Sequence, residues 1–345
     1  MKTLQKISSM LSSKTSVFVI LVAIAAFFVP DIFSWVQGNN QSLVLGVIMF
    51  TMGLTLTTED FKVLAKRPLD IFIGAAAQYL IMPFLAYGIS TILRLPNEIA
   101  VGLILVGCCP GGVSSNIMSY LCHGDVPFSV GMTTASTLLS PLMTPMMVLF
   151  LAGARIEVNA ASMFISIVKS VLLPVLLGFI LNTLFGKKEA FKEAQKVMPG
   201  ISVIGLALIV GGVIALQGEN FFKSGAVIFI AVLLHNSLGY ALGYGVGKLT
   251  GMNTAKKRTI SIEVGMQNAG LATNLATAHF AAAPQALWPV RYPVYGTQSQ
   301  ELFWQESIYK KIICRKNRPK TGWQQKQNKS FRDTPVLYRC ILIFA

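Results

Sequence analysis

Long apolar runs separated by short polar segments dominate the first 286 residues of the chain. Because about 20 apolar residues carry a helix across a bilayer, the runs predict membrane-spanning helices, and the first is interpreted as retained and not as a cleaved signal. Nine spans are expected, near residues 16–36, 42–57, 69–93, 99–121, 127–153, 161–186, 197–217, 221–247 and 258–284. The pattern therefore predicts an all-α polytopic membrane protein.

The composition of the 345-residue chain agrees with this interpretation. Apolar residues make up 53% and charged residues 12%, which excludes a soluble domain of this size. The predicted loops on the side of the N-terminus hold fourteen Lys and Arg, and the loops on the other side hold three. Since cytoplasmic loops are enriched in basic residues, we expect a cytoplasmic N-terminus. This bias accounts for the positive charge of the spans and their loops, so no nucleic-acid partner is indicated.

The character of the chain changes at Leu287. Residues 287–345 hold 14 charged residues in 59, against 29 in the preceding 286, and they lack hydrophobic periodicity. One interpretation is a basic disordered tail. The other is a shift of reading frame, because the degenerate codons of this segment, taken one frame over, permit an apolar stretch long enough for a tenth span. We therefore divide the chain into a membrane body, residues 1–286, and an aberrant tail, residues 287–345.

Two predicted spans are interrupted by residues that do not suit a lipid-facing helix. The first interruption reads Cys109-Pro110-Gly111-Gly112-Val113-Ser114-Ser115-Asn116. Proline and paired glycines break helices, and broken backbone at membrane depth is tolerated only where protein buries it or where it lines a watery cavity. The oxygens of such a break are suitable ligands for a hard cation such as sodium.

The second interruption reads Glu263-Val264-Gly265-Met266-Gln267-Asn268-Ala269-Gly270 and places a carboxylate within an apolar span. Burying an ionised Glu in hydrocarbon costs several kcal/mol, so its default interpretation is functional. A sodium ion beside Glu263 would neutralise it and link ion binding to conformation. The alternative is that Glu263 lies at the cytoplasmic mouth and pairs with Arg258.

The two interruptions occupy similar places in the two halves of the body. Asn116 follows a polar position, Gln78, by 38 residues, and Asn268 follows the pair His235-Asn236 at a separation of 33. Corresponding interrupted spans are typical of repeated halves with a binding site near the midplane. Five spans per half would give the two halves opposite orientations.

Isolated polar residues in other spans are less informative. Ser129 and Thr133 are four apart and so share a helical face, but Ser and Thr in membrane helices usually bond backbone or join helices. Lys169 is interpreted as a snorkelling residue. The sequence has no paired-histidine metal motif, nucleophile elbow or phosphate-binding loop, so it indicates neither an enzyme nor ATP-driven transport.

Around the interruptions the sequence resembles the bile acid:sodium symporter family, from the first span to about Ala286. The matching stretches are Cys109–Asn116, Ser261–Ala272, His235-Asn236, Ser136-Thr137 and Ser140-Pro141. The resemblance implies inverted five-helix repeats built from panel and core helices, with the fourth and ninth helices unwound where they cross. It also implies sodium-coupled symport of an organic anion across the inner (plasma) membrane of a bacterium, with sodium as the coupling ion and no cofactor.

The same resemblance implies two sodium sites behind a substrate cavity. Carried over by position, the first set of ligands is Ser115, Asn116, Ser129, Thr133 and Glu263. The second set, partly through main-chain oxygens, is Gln78, Glu263, Val264, Met266 and Gln267. Asn268 and Val113 would face the substrate cavity.

The resemblance also bears on the tail. The family ends in a tenth helix bearing Val-Trp-His-Asn-Ile-Ser-Gly, and the shifted frame after Ala286 permits Val-Trp-His-Thr-Ile-Ser-Gly. This near identity favours the frameshift, in which case the chain as written lacks one core helix.

Three functions are consistent with the sequence. Sodium-coupled symport of a bile acid or a small carboxylate, such as pantoate or a keto acid, is the prediction. A proton-coupled or facilitative carrier on the same fold, with Glu263 titrating, is the first alternative. The second is a non-transporting membrane receptor or enzyme.

Overall fold

A computed structural model describes the backbone of residues 2–112 and 114–280. Val113, which was predicted to face the substrate cavity, and the predicted tail at 287–345 lie outside the described residues. The described part is helical, with the following elements: α1 Lys2–Ser13, α2 Thr15–Phe28, α3 Gly38–Gly53, α4 Thr58–Lys66, α5 Pro68–Ile92, α6 Asn97–Gly107, α7 Ser114–Leu121, α8 Val126–Ala152, α9 Ala160–Ile167, α10 Leu173–Phe185, α11 Glu189–Gln195, α12 Met198–Leu249, α13 Thr254–Gly265 and α14 Ala269–His279.

Five helical stretches of the described chain are long and apolar enough to cross a membrane. They are Pro68–Ile92, Val126–Ala152, Ala160–Phe185, Glu189–Leu216 and Val227–Leu249, and they coincide with the predicted third, fifth, sixth, seventh and eighth spans. The sixth is continuous because a π-helical turn at Val168–Leu172 joins α9 to α10. That turn precedes Pro174, whose ring would clash with the carbonyl four residues earlier in an ordinary α-helix. The chain is an all-α polytopic membrane protein.

Several predicted spans differ from the structure in their limits or continuity. The first was expected to run to residue 36, but α2 ends at Phe28 and a short 3-10 turn covers Pro30–Ile32, because a residue that precedes proline disfavours the α conformation. The seventh and eighth spans were expected as separate helices and lie on one helical element, α12, of 52 residues, although the membrane-length stretches Glu189–Leu216 and Val227–Leu249 remain separate. No proline follows Pro199 in this helix, and an internal glycine costs a helix only about 1 kcal/mol.

The described helices form two packed groups, called neighbourhoods below. In one, α3 packs against α10, α12 and α14, and α2 packs against α12. In the other, α13 contacts α5, α7, α8 and α12. Both predicted interruptions lie where these neighbourhoods meet.

Both interruptions are true breaks in the helices. The α6 helix ends at Gly107 before α7 begins at Ser114, and α13 ends at Gly265 before α14 begins at Ala269. The two extended segments pair with each other as a short antiparallel bridge between Gly111 and Gln267. This pairing satisfies main-chain groups that the broken helices leave open. The prediction of two unwound spans is confirmed.

Several predicted cytoplasmic loops lie at a shared end of the described helices. Arg67 Nη1 lies 2.7 Å from Asp125 Oδ2, and Lys256 Nζ lies 2.5 Å from Asp70 Oδ2. These ion pairs join the first turn of α5 to the start of α8 and the first turn of α13. Which side of the membrane this end faces stays a prediction.

Candidate functional site

Glu263 is the centre of the candidate site. It lies in the last turn of α13, immediately before the second break, and is 1% exposed. Its carboxylate accepts a short hydrogen bond from Ser129 Oγ and another from Thr133 Oγ1 at 2.8 Å. The alternative pairing with Arg258 is wrong, because that guanidinium donates to the carbonyl of Cys122 at 3.1 Å.

The structure brings together all five members of the first predicted set of ligands. Ser129 Oγ lies 2.9 Å from Asn116 Oδ1, and Thr133 Oγ1 lies 3.3 Å from the same oxygen. Ser115 Oγ lies 3.4 Å from Thr133 Oγ1. The first turn of α7 supplies Ser115 and Asn116, and one face of α8 supplies the other two hydroxyls. Two helices, α7 and α8, therefore converge on the carboxylate of α13.

The chemistry of this group suits a hard cation. Its donors are three hydroxyls, one amide oxygen and one carboxylate, and hard cations prefer oxygen ligands of this kind. In the structure the hydroxyls of Ser129 and Thr133 point protons at Glu263. Hydroxyl groups rotate and also carry acceptor lone pairs, so a cation at this point could replace those protons as the partner of the carboxylate.

The second predicted set lies along the other face of the same break. Gln78, on α5, donates through Nε2 to Gln267 Oε1 at 2.8 Å and to the carbonyl of Cys109 at 3.1 Å. Gln267 Nε2 in turn donates to the carbonyl of Val264 at 2.7 Å. The carbonyl of Met266 accepts from Gly112 N at 2.9 Å.

One atom of this second group has no partner among the described residues. Gln78 Oε1 is buried and accepts no hydrogen bond there. A buried amide oxygen without a partner is costly and calls for an explanation, such as a bound water or ion. A cation between Gln78 and the carbonyls of the second break would supply that partner, so the residues present fit a second ion.

The crossing of the breaks depends on glycine. A Cβ on Gly112 would lie 2.8 Å from the carbonyl oxygen of Gln267, and a Cβ on Gly111 would lie 3.1 Å from Glu263 Oε2. The first of these contacts is with backbone, which cannot rotate away. The two glycines let the extended segments approach closely enough to pair.

A cavity of about 510 Å³ lies beside the crossing. Asn268, predicted to face a substrate cavity, lies in its wall, and its side chain also caps α14 by accepting from Leu271 N at 3.0 Å. Asn116 and Gln267 belong both to this wall and to the two groups of predicted ion ligands. Glu263 is not among the residues that line the cavity, so the carboxylate lies one layer behind it.

Sequence reasoning missed the opposite wall of the cavity. Thr51 of α3, Thr55 in the turn that follows it and Ser202 of α12 line it, and Thr51 Oγ1 lies 2.6 Å from Ser202 Oγ. The two threonines are four residues apart in the sequence, a spacing that would have indicated one helical face, although α3 ends at Gly53 before Thr55. Hydroxyls are so common in membrane helices that the spacing alone was uninformative.

Comparisons with known proteins show the family to which the chain belongs. The model of the sodium bile acid symporter family matches residues 42–224. A Bacillus subtilis protein named "Uncharacterized sodium-dependent transporter YocS" is 43% identical over 314 residues, which cover 90% of this chain and 97% of that protein. Arabidopsis thaliana "Probable sodium/metabolite cotransporter BASS1, chloroplastic" is 38% identical over 305 residues, covering 87% and 75% of the two chains. A rice BASS2 protein with the same description is 37% identical over 304 residues, covering 87% and 72%.

Proposed function

Because the chain belongs to the sodium bile acid symporter family, we propose that it is a sodium-coupled symporter of an organic anion. The observation that carries this proposal is the group of oxygen donors around Glu263, which lies directly behind a substrate-sized cavity and shares Asn116 with its wall, while the second predicted group shares Gln267. In this proposal the first sodium is held by Ser115, Asn116, Ser129, Thr133 and Glu263. The second is held by Gln78, Glu263, Val264, Met266 and Gln267.

The shared residues give a physical reason for coupling. A sodium ion bound by Asn116 Oδ1 would fix the orientation of that side chain, which also forms part of the cavity wall. The amide of Gln267 would be fixed in the same way by the second ion. Ion binding therefore completes the surface that the substrate meets, and ligands that stabilise the same conformation bind cooperatively.

The polarity of the cavity supports an anionic substrate. The helices α7 and α14 begin beside the cavity, and Ser114, Ala269 and Gly270 of their first turns belong to its wall. N–H groups at helix N-termini attract anions, and the Asn268 amide adds a further donor. A volume of about 510 Å³ lies within the range of about 300–1,000 Å³ for small-molecule sites. Bile acids and small carboxylates such as pantoate or keto acids are the proposed substrates.

The orientation is part of the same proposal. Fourteen of the 18 Lys and Arg before residue 287 lie in the N-terminal segment and in three predicted loops, around residues 62–67, 187–196 and 248–258. By the positive-inside rule these loops and the N-terminus face the cytoplasm of a bacterial cell. The cavity mouth near Thr57 and Asp60 would then open to the cytoplasm.

Flux measurements test the proposal. The chain is reconstituted in vesicles, and uptake of labelled taurocholate, pantoate and pyruvate is measured separately under an inward sodium gradient. We expect at least one substrate to accumulate with sodium and not with an equal concentration of potassium. Glu263→Gln should abolish the sodium-dependent part. As a control, Glu59→Gln removes an exposed carboxylate that lies 2.7 Å from Lys62 and should leave uptake unchanged.

Each contrary outcome has a defined meaning. Accumulation driven by a proton gradient without sodium would replace symport with the proton-coupled alternative. Equilibration without accumulation would indicate a facilitative carrier. Conversion of a substrate to a product, or binding without flux, would support the enzyme or receptor alternative.

The reading frame after Ala286 is proposed separately. We propose that residues 287–345 are encoded out of frame and stand where the tenth helix of the family would be. Sequencing the gene across the codon of Ala286 tests this, since an intact in-frame sequence through Leu287 would overturn it. The corrected and uncorrected chains should then be compared in the same uptake assay.

A further inference from the structure

The first helix, α1, has features that the transport mechanism does not use. It bends away from the apolar α2 by 83°, so if α2 crosses the bilayer near its normal, α1 lies close to the membrane plane. The chain turns at Lys14, whose φ of −124° and ψ of 34° depart from helical values. Thr15 Oγ1 donates back to the carbonyl of Ser12 at 3.0 Å. The bend between α1 and α2, called the elbow below, is therefore held in a defined backbone conformation by a local hydrogen bond.

The polar flank of α1 is the flank that contacts the protein. Ser8 is 3% exposed, and its hydroxyl contacts the carbonyl of Val197 at 3.1 Å and accepts from Gly200 N at 2.9 Å. Gln5 Nε2 donates to Glu193 Oε2 at 2.6 Å. The contact is close, since a Cβ on Gly200 would lie 2.7 Å from Ser8 Cα. This docking fixes which face of α1 points outward.

The outward face is apolar. Leu4, Ile7 and Met10 are 53%, 46% and 56% exposed, and their spacing of three residues confines them to about a third of the helix circumference. Ser9 lies nearly opposite Ile7 and is exposed. A helix with this division, lying across the direction of the spans, matches the geometry of an interfacial membrane helix.

The basic residues on and near α1 favour a membrane surface that carries negative charge. Lys6 and Lys14 are exposed, and the first acidic residue of the chain is Asp31. The neighbouring α11 is preceded by exposed Lys187 and Lys188. The two glutamates of α11, Glu189 and Glu193, form ion pairs with Lys192 and Lys196, so they do not offset the charge of α1. A basic surface next to an apolar face suits anionic headgroups above acyl chains.

We propose that α1 is an interfacial helix that inserts Leu4, Ile7 and Met10 into the leaflet and binds anionic phospholipid headgroups through Lys6 and Lys14. The elbow that this attachment holds belongs to the cavity wall, because Ser12 and Thr15 line the cavity. The lipid surface therefore fixes one part of the cavity wall. This inference does not depend on the identity of the transported substrate or ion.

Photocrosslinking in defined vesicles tests the proposal. The full chain carries p-benzoylphenylalanine in place of Ile7 or, as the matched control, in place of Ser9. It is reconstituted in equal amounts of phosphatidylcholine and phosphatidylglycerol, and adducts are identified by mass. We expect several-fold more phospholipid adduct at position 7 than at position 9, with phosphatidylglycerol in excess at position 7.

Charge variants separate the two parts of the proposal. Lys6→Gln with Lys14→Gln should bring the two lipids at position 7 to parity while position 7 still exceeds position 9. Lys66→Gln with Lys248→Gln removes the same charge from two exposed lysines elsewhere and should leave the excess of phosphatidylglycerol intact. Equal adducts at both positions, or a crosslink to a second polypeptide at position 7, would overturn the interfacial position. Parity of the two lipids in the parent would overturn the anionic preference.

Discussion

The two breaks at the centre of the molecule differ in how they arise. The first contains Pro110, Gly111 and Gly112, residues that interrupt a helix in any surroundings. The second holds Met266, Gln267 and Asn268 between its helices, none of which breaks a helix by itself, and its single preceding glycine, Gly265, is a weaker helix breaker than a proline with paired glycines. The second break nevertheless ends α13, because its main chain bonds to the first, from Gly112 N to Met266 O and from Asn268 N to Pro110 O, both at 2.9 Å.

This difference assigns the two segments different roles. The first break has a shape set largely by its own residues and acts as the template. The second takes its extended shape from pairing with that template, and its helix carries the carboxylate. We infer that the position of Glu263 depends on the close approach of the two segments, so the ion site should be sensitive to anything that separates them.

The largest effect is expected from Gly112→Ala. The new Cβ would meet the carbonyl oxygen of Gln267 at 2.8 Å, and overpacking of this kind costs about 1–3 kcal/mol. Because the strain falls on the pairing that positions Glu263, sodium affinity should drop on the order of tenfold, since about 1.4 kcal/mol corresponds to a factor of ten. A sodium titration of uptake or of thermal stability measures this.

Gly88→Ala is the matched control for that substitution. A Cβ at Gly88, within α5, would meet nothing within 4 Å, and alanine is the better helix former. Its sodium dependence should equal that of the parent. If Gly112→Ala also behaved like the parent, the close approach of the breaks would not be needed for the ion site.

A smaller effect is expected from Gln78→Leu. Gln78 bridges the breaks, since it donates to Cys109 O of the first and to Gln267 Oε1 of the second. Removing it deletes one member of the second predicted ion site and leaves those two oxygens with one donor fewer. The sodium dependence of uptake should become less steep, with a Hill coefficient that falls toward unity.

Gln41→Leu provides the comparison for a lost buried glutamine. Gln41 is 1% exposed on α3 and accepts from Thr277 Oγ1 at 3.0 Å, away from both breaks. Its loss should reduce stability by about 1–3 kcal/mol without changing the Hill coefficient. Equal Hill coefficients in the two variants would remove Gln78 from the ion site.

The smallest effect is expected from Asn268→Ala and Asn253→Ala. Both side chains cap helices, Asn268 at Leu271 N and Asn253 at Lys256 N, and loss of a cap costs about 1 kcal/mol. Thermal unfolding should therefore show similar losses. Uptake should separate the variants, because Asn268 also lines the cavity. An unchanged KM for substrate in Asn268→Ala would argue against its role there.

The sequence predicted most of the architecture because membrane helices leave a strong local signal. Apolar runs located the spans, and Pro110 with its two glycines located the first break. The continuity of α12 was missed because a polar stretch near residue 220 resembles a loop, although it holds no proline to end a helix. The extent of α2 was missed because hydrophobicity past Pro30 outweighed the conformational effect of the proline.

Fewer features of the candidate site than of the architecture could be predicted from the residues alone. Glu263 could be identified from the sequence because burying an ionised carboxylate in an apolar span costs several kcal/mol. Ser129 and Thr133 did not, since their spacing is equally typical of ordinary helix contacts, and they were selected only through the family resemblance. Thr51 and Ser202 face each other across 151 positions of sequence, and no local pattern predicts such a pair.

The most direct test of the central claim is the effect of sodium on the thermal stability of the purified chain. A ligand that binds only the folded state stabilises it by about 2.7 kcal/mol at a hundredfold excess over its Kd. We predict that sodium chloride raises the Tm relative to equal potassium chloride, that Glu263→Gln and Ser129→Ala lose this shift, and that Glu59→Gln keeps it. A full sodium shift in Glu263→Gln would contradict the assignment of the ion site to this carboxylate.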